Sequence, residues 1–150
     1  MAIAPVERDA TAKPGGSLLY AVKRVELVVR SHLDELLKPA GITAVQYTAL
    51  TVLERHDGLP AAQLARRSFV TAQSTADLVR SLENRGLITR ERNPENRREL
   101  LIRLTAAGRR LLATYADDVE AIERRMVDDL TPRQVEQLRT ALTKAWHALT

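Results

Sequence analysis

Arginines are the residues of this chain best suited to bind a ligand, and they are concentrated in one third of the sequence. Residues 61–110 contain eleven Arg and five acidic residues, whereas the rest of the chain has twelve Lys or Arg and fourteen acidic residues. The guanidinium group is a planar fork of donors that fits a phosphate or the edge of a guanine. This excess of positive charge predicts a surface that faces phosphates, although solvated arginines on ordinary helix faces are an alternative.

The same region contains two short helices followed by two strands. Residues 60–67 form an amphipathic segment that begins at a proline, which suits a first helical position. A second helix over residues 71–86 has a threonine cap at its start and a glycine at its end. Two strand-like runs, 87–92 and 99–104, are joined by the turn-forming residues 93–98. This order of elements predicts a winged helix-turn-helix that binds DNA.

Longer helical patterns precede and follow this unit. The apolar residues of the helix over 17–38 cover more than one face, which indicates packing on two neighbours, in the same chain or in a second subunit. The sequence predicts a mainly α fold with a small β-hairpin wing. In it, a winged helix-turn-helix lobe over residues 43–105 is bracketed by dimerisation helices over 17–38 and 106–150. Residues 17–150 would form a single domain, preceded by a flexible arm over residues 1–16.

The composition excludes several classes of function. The chain has no Cys and only three His, which excludes disulfides, thiolate metal sites and thiol-based redox sensing. Neither a Gly-rich phosphate loop nor a nucleophile elbow is present, so we expect no enzymatic activity, no cofactor and no metal site. No apolar run approaches the roughly 18 residues of a membrane span, and the first residues lack the apolar run of a signal peptide. We therefore expect a cytoplasmic protein that does not associate with membranes.

Candidate DNA contacts lie in three places. The first turn of the helix over residues 71–86 is where base edges come within reach in helix-turn-helix proteins, and glutamine can pair there with adenine. The end of the preceding helix and the tip of the hairpin contribute arginines. The alternatives are a solvated first turn and, for Arg80, a surface ion pair with Asp77 or Glu83. The predicted contacts are Arg66, Arg67, Thr71, Gln73, Ser74, Thr75, Arg80, Arg97 and Arg98.

From Leu18 to its C-terminus, the sequence resembles the MarR (multiple antibiotic resistance regulator) family. The likeness is carried by residues 82–90 (LENRGLITR), 93–98 (NPENRR) and 104–108 (LTAAG), and it extends to 41–50 and 61–65. The joint order and spacing of these segments make the signal specific.

This resemblance implies an obligate homodimer in which helices near both termini interlock and two winged lobes meet a pseudo-palindromic site in double-stranded DNA. It also implies a repressor that leaves its site when a small aromatic or phenolic effector binds. The helix over residues 71–86 would enter the major groove, and the wing at 93–98 would reach the adjacent minor groove.

One position departs from the family pattern. The family wing usually has Asp-x-Arg, with the Asp paired to the Arg. The spacing to Leu104 and Thr105 places Arg98 on that arginine and Asn96 on the aspartate. The resemblance therefore implies an Arg98 that is less rigidly aimed, in a wing that Arg97 keeps basic.

Three polar or aromatic residues are candidates for an effector pocket between the dimerisation helices and the winged lobe: His32, Tyr47 and Tyr115. The alternative for each is ordinary packing in or near the core. Trp146 is instead expected to anchor a dimer interface. The predicted function is a sequence-specific transcriptional regulator. The alternatives are a winged-helix module for protein–protein interaction and a low-specificity architectural DNA-binding protein.

Overall fold

The computed structural model describes residues 16–150, which form six helices and one small sheet. The predicted mainly α fold with a hairpin wing is confirmed. The arm predicted for residues 1–16 lies outside the described residues, apart from Gly16. The helices are α1 Leu18–Leu37, α2 Ala44–Arg55, α3 Ala61–Arg67, α4 Ala72–Asn84, α5 Ala106–Met126 and α6 Pro132–Leu149. The strands are β1 Leu59–Pro60, β2 Ile88–Arg92 and β3 Leu100–Leu104.

Side-chain caps define where most of these helices begin. In five of them the residue before the helix accepts a hydrogen bond from the backbone N–H three residues later. At α2 and α6 the backbone N–H of the capping residue also donates to the side-chain oxygen of a glutamine three residues later, which completes a capping box. These hydrogen bonds join residues only three positions apart, so the caps could be predicted from the sequence. The predicted helix starts at these caps are confirmed. The capping residues are Ser17, Thr43, Thr71, Thr105 and Thr131.

The sheet has one strand more than the predicted hairpin. The three strands are antiparallel in the order β1-β3-β2, with Leu59 opposite Ile102 and Pro60 opposite Leu101. A two-residue strand is too short to show an alternating pattern. Pro60 is the N-cap of α3, with an extended backbone, and not its first helical residue as the sequence suggested. The extra strand ties the start of the helix-turn-helix to the wing.

The hydrophobic core lies inside the winged lobe, between α2, α3, α4 and the sheet. Helix α1 joins this lobe at its C-terminal end, where Asp34 Oδ1 accepts a hydrogen bond from Ala44 N–H at 2.6 Å. Helix α5 joins it at its N-terminal end through Gly108 and Leu112, which are buried. The largest fully buried side chains are Leu37, Leu50, Leu53, Leu64, Leu82, Ile88 and Ile102.

Two helices leave large apolar faces uncovered. Leu37 is the single buried residue of α1, and no residue of α6 is buried. Soluble monomers rarely leave contiguous apolar faces of this size open to water. The exposed apolar residues of these two helices are Leu18, Leu19, Tyr20, Val22, Val25, Leu27, Val28, Leu138, Leu142, Trp146 and Leu149.

Candidate nucleic-acid interface

The turn of the helix-turn-helix is closed by backbone hydrogen bonds at the end of α3. Ser68 N–H donates to Leu64 O at 2.9 Å, and Val70 N–H donates to Ala65 O at 3.0 Å. Between these two donors, Phe69 has a φ of 60° and is 77% exposed. Sequence reasoning did not single out Phe69. The signal that could have found it is an aromatic residue at the turn position where glycine is usual.

The first turn of α4 is open to solvent. Thr71 Oγ1 accepts from Ser74 N–H at 3.3 Å and lies 3.1 Å from the Ser74 hydroxyl. The Gln73 side chain is exposed and has no hydrogen bond to any residue in the range 16–150. Its amide is therefore the group most available for a partner outside the chain.

Thr75 does not belong to this exposed set, which corrects the prediction from sequence. The residue is 6% exposed, and its hydroxyl donates to Thr71 O at 2.8 Å. It lies on the buried face of α4 with Leu78 and Val79. Counting residues from the cap correctly placed Thr75 near the start of α4. It did not predict that Thr75, one position after the exposed Ser74, would have its side chain on the face that packs on the core.

Polar contacts on three sides fix the position of α4. Gln46 Nε2 donates to Ser81 Oγ at 3.0 Å, which links α2 to α4. Arg85, just past the end of α4, donates to the carbonyls of Ala40 and Gly41 in the 3₁₀ turn that follows α1. These contacts connect the helix with the exposed first turn to the helices that lie behind it.

A third contact joins α4 to the sheet. Arg90 of β2 donates two hydrogen bonds to Glu83, at 2.9 Å and 2.8 Å. The Arg90 guanidinium lowers the pKa of the Glu83 carboxyl, so this pair is ionised at neutral pH. The bidentate geometry fixes the angle between α4 and the wing.

The tip of the wing is held by asparagine side chains. Asn93 Oδ1 accepts from Glu95 N–H at 3.0 Å, and Asn96 Oδ1 accepts from Arg98 N–H at 3.2 Å. The Asn96 side chain therefore fixes the backbone of Arg98 and does not contact its guanidinium. Both Arg97 and Arg98 are exposed at this tip.

The arginines of residues 61–110 divide into two groups. Several are engaged within the protein: Arg103 contacts Asp57 at 3.0 Å and Glu91 at 2.8 Å, and Arg67 lies 3.2 Å from His56 Nε2. Arg80 pairs with Asp77 at 3.3 Å, although both side chains are exposed. Within residues 16–150, no carboxylate lies within 4.0 Å of the guanidinium groups of Arg66, Arg97 or Arg98. These three are therefore available for phosphate, and so are Arg109 and Arg110 at the start of α5, which are exposed and also have no carboxylate partner in this range.

The three candidate pocket residues do not come together. A groove of about 490 Å³ runs between α1 and α5, and of the three only His32 lines it. Tyr47 is buried in the core, where burial raises the pKa of its phenol, and Tyr115 packs against that core. Sequence reasoning missed the two cations of the groove. It is lined by Ala21, Arg24, Val25, Val28, Val29, His32, Ile122, Arg125 and Met126.

Residues 16–150 contain neither a cluster of metal-binding side chains nor a helix suited to span a membrane. No group of three or more His, Cys, Asp or Glu residues in this range could hold a metal ion. No helix in this range is long and apolar enough to cross a membrane.

Comparison with known proteins connects this geometry to a group of regulators. The family model described as MarR family matches residues 40–99, which include α2, the helix-turn-helix and most of the wing. The chain is 34% identical to the HTH-type transcriptional repressor Rv2887 of Mycobacterium tuberculosis over 131 residues, 87% of this chain and 92% of that protein.

Solved structures with the same fold include complexes with DNA and with a ligand. MepR of S. aureus, in a DNA complex, aligns over 89% of this chain and 99% of its own, with 25% identity and a TM-score of 0.79. CouR, bound to a 23-mer DNA duplex, aligns over 86% and 92%, with 28% identity and a TM-score of 0.75. CouR from Rhodococcus jostii bound to p-coumaroyl-CoA aligns over 87% and 92%, with 27% identity and a TM-score of 0.78.

Proposed function

The chain belongs to the MarR family of DNA-binding transcriptional regulators, which are not enzymes, and from this we propose a homodimeric repressor that a small aromatic ligand releases from DNA. The observation that carries the proposal is that the first turn of α4 is exposed, and that exposed arginines without acidic partners are present on α3 and on the wing. Its relative Rv2887 is named a transcriptional repressor, which supports the direction of regulation.

The DNA contacts follow from the exposed groups. Gln73 and Ser74 would meet base edges in the major groove, where an amide pairs with adenine and a hydroxyl adapts to several bases. The basic residues around them would bind phosphates and set the register of the helix. At the wing, Arg97 and Arg98 would reach the adjacent minor groove. The proposed contact set is Arg66, Arg67, Thr71, Gln73, Ser74, Arg80, Arg97 and Arg98.

The homodimer is supported by the apolar faces of α1 and α6. An 18-residue helix without a single buried residue gains little from its own chain, because helical stability in proteins comes mostly from packing an apolar face. A second copy of the chain would cover both faces at once, with α1, α5 and α6 forming the association part of a single domain over residues 17–150. Two winged lobes would then meet two half-sites of a pseudo-palindrome.

The ligand proposal rests on the groove between α1 and α5. Its volume in the single chain is about 490 Å³, which suits a small molecule. Because Val25 and Val28 also belong to the α1 face that the second copy would cover, that copy would form part of the groove wall. Its walls are valine, isoleucine and methionine, and Arg24, Arg125 and His32 supply positive or titratable groups. An aromatic carboxylate fits this combination, because the ring meets the apolar walls and the carboxylate meets a guanidinium. Ligand binding would release DNA only if it favours a lobe separation that does not fit the operator.

Selection of bound sequences from a random pool of DNA tests the main proposal. We expect enrichment of one pseudo-palindromic motif, and an affinity for it that falls steeply with salt. The affinity for a scrambled duplex should be at least about a thousandfold lower. Equal binding to both duplexes would identify an architectural protein, and no binding would identify an interaction module.

A thermal-shift screen of aromatic carboxylates and phenols tests the ligand proposal. A true effector should raise the melting temperature and weaken operator binding together. Both effects should disappear in Arg24→Gln or Arg125→Gln, whereas Arg133→Gln on exposed α6 serves as the matched control. A compound that stabilises the protein but leaves DNA affinity unchanged would contradict a regulatory role for it.

A further inference from the structure

A phenylalanine occupies a backbone position where the same turn elsewhere in the chain has a glycine. Helix α4 ends in a turn in which Leu87 N–H donates to Leu82 O at 3.0 Å, with a φ of 70° at Gly86. Helix α3 ends in the equivalent turn, with a φ of 60° at Phe69. Glycine is usual at this position because a Cβ crowds the next carbonyl in the left-handed conformation.

No packing contact within residues 16–150 accounts for an aromatic ring at this position. Phe69 is 77% exposed, whereas the preceding residue, Ser68, is 2% exposed and the following residue, Val70, packs against the core. An exposed ring contributes little burial free energy to offset the left-handed backbone of a bulky residue. Within residues 16–150, Phe69 is the only residue other than glycine with a positive φ. Strain of this kind is held in place mainly at functional sites.

The surroundings of Phe69 indicate what the ring meets. It lies between Arg66 and Arg67, at the end of α3, and Thr71, which caps α4. This is the edge of the surface proposed to enter the major groove. The 5-methyl group of thymine is the apolar group that base pairs present there, and Phe is one of the side chains that contact it.

We propose that Phe69 contacts the 5-methyl group of a thymine beside the bases that the first turn of α4 reads. The proposal rests on the DNA-binding function above and adds an apolar contact to the polar ones. In this proposal the ring of Phe69 recognises a base. The left-handed turn holds the ring away from the core, where it can reach DNA.

A cycle between protein and DNA variants tests this contact. The DNA is the duplex enriched by the wild-type protein, with each thymine replaced singly by deoxyuridine, which removes only the methyl group. The protein variant is Phe69→Asn, because asparagine accepts the left-handed conformation. We expect about a fourfold loss of wild-type affinity at one or two positions, the value for one buried methyl group, and no such loss in the variant.

Two further measurements separate recognition from folding. Phe69→Asn should bind the unmodified duplex roughly tenfold or more weakly, while its melting temperature stays the same or rises. Gln73→Ala is the matched control, since it should weaken binding yet keep the deoxyuridine effect. If the methyl effect persists in Phe69→Asn, the contact is absent.

Other outcomes also have definite meanings. An equal loss of affinity for enriched and scrambled duplexes in Phe69→Asn would assign the ring to the sugar–phosphate backbone and overturn the thymine contact. Unchanged affinity would place the ring outside the DNA interface. If the wild-type protein enriches no sequence, the DNA-binding proposal fails first, before any Phe69 variant is made.

Discussion

At the scale of single residues, the DNA surface combines groups that differ in what they can recognise. The Arg98 guanidinium is a charge at the tip of the wing, and the Gln73 amide is a neutral donor and acceptor on α4. Phosphate contacts carry no sequence information, whereas an amide on a base edge does. Substitutions at these two positions should therefore weaken binding in different ways.

Arg98→Ala should lower the affinity for most DNA sequences and reduce the slope of log affinity against log salt by roughly one unit. Gln73→Ala should cost about 1–3 kcal/mol on the preferred site and little on random DNA, with the salt slope unchanged. Titrations of specific and scrambled duplexes at several salt concentrations measure the affinities and the salt slopes of both variants. The assignment of roles is wrong if Gln73→Ala changes the salt slope or Arg98→Ala weakens the specific site alone.

Asn96 supports a second prediction at the wing. Asn96→Asp preserves the bond to Arg98 N–H, which is 3.2 Å long, and adds a second oxygen that can pair with the guanidinium. It also adds negative charge near phosphates. We expect the better orientation of the Arg98 guanidinium to outweigh the repulsion between the new carboxylate and the phosphates. Operator affinity should then increase slightly. Glu95→Gln is the control, because it removes a charge from the same tip without a pairing effect and measures repulsion alone. Weaker binding by Asn96→Asp with an unchanged wing would mean that repulsion dominates.

Residue types were enough to propose candidate residues for this surface, but they did not predict the direction of each side chain. Caps such as Thr71 follow from local hydrogen bonding and were predictable. The choice of Thr75 as a DNA contact was wrong, because the direction of its side chain depends on which face of α4 packs on the core. Of the three effector candidates only His32 lines the groove: Tyr47 lies in the core and Tyr115 packs against it. The groove cations Arg24 and Arg125 were missed because they lie far apart in sequence.

At the scale of elements, the helix-turn-helix is held by contacts that pattern alone does not reveal. Helix order and the hairpin were predicted from apolar periodicity, glycines and caps. Strand β1 was not, since two residues carry no period. The hydrogen bonds from Arg85 to the carbonyls of Ala40 and Gly41, in the turn after α1, join residues 44 or more positions apart. Only the folded chain brings these residues together.

The junction between α5 and the wing supports a prediction at this scale. A Cβ at Gly108 would lie against the carbonyl of Leu87 and within 2.6 Å of Leu104 Cδ1. Gly→Ala inside a helix normally stabilises by about 1 kcal/mol, but here we expect Gly108→Ala to destabilise by about 1–3 kcal/mol through overpacking. Urea denaturation measures this, with Ala113→Gly on exposed α5 as the propensity control. A more stable Gly108→Ala would show that α5 need not approach the sheet closely.

At the scale of the whole molecule, the apolar faces of α1 and α6 require a partner. The sequence predicted this excess of apolar residues because their number exceeds what a small lobe can cover. Which faces stay open depends on the angles between helices, and the sequence does not specify those angles. The proposed association surface combines α1 with α6, which are far apart in the sequence.

Deletion of residues 135–150 tests this dimer. The truncated chain loses the apolar stripe of α6, and the α1 face of the other copy loses its cover. We expect aggregated or unfolded protein, which size-exclusion chromatography with light scattering and circular dichroism would detect. A milder change, Leu142→Glu with Trp146→Glu, should also replace the dimer by aggregated or unfolded protein, because two carboxylates would be buried without partners. Lys144→Glu, on the opposite side of α6, should leave the dimer intact. A soluble, folded monomer from the truncation would contradict the interlocked dimer, because α1 would then be stable with its apolar face in water.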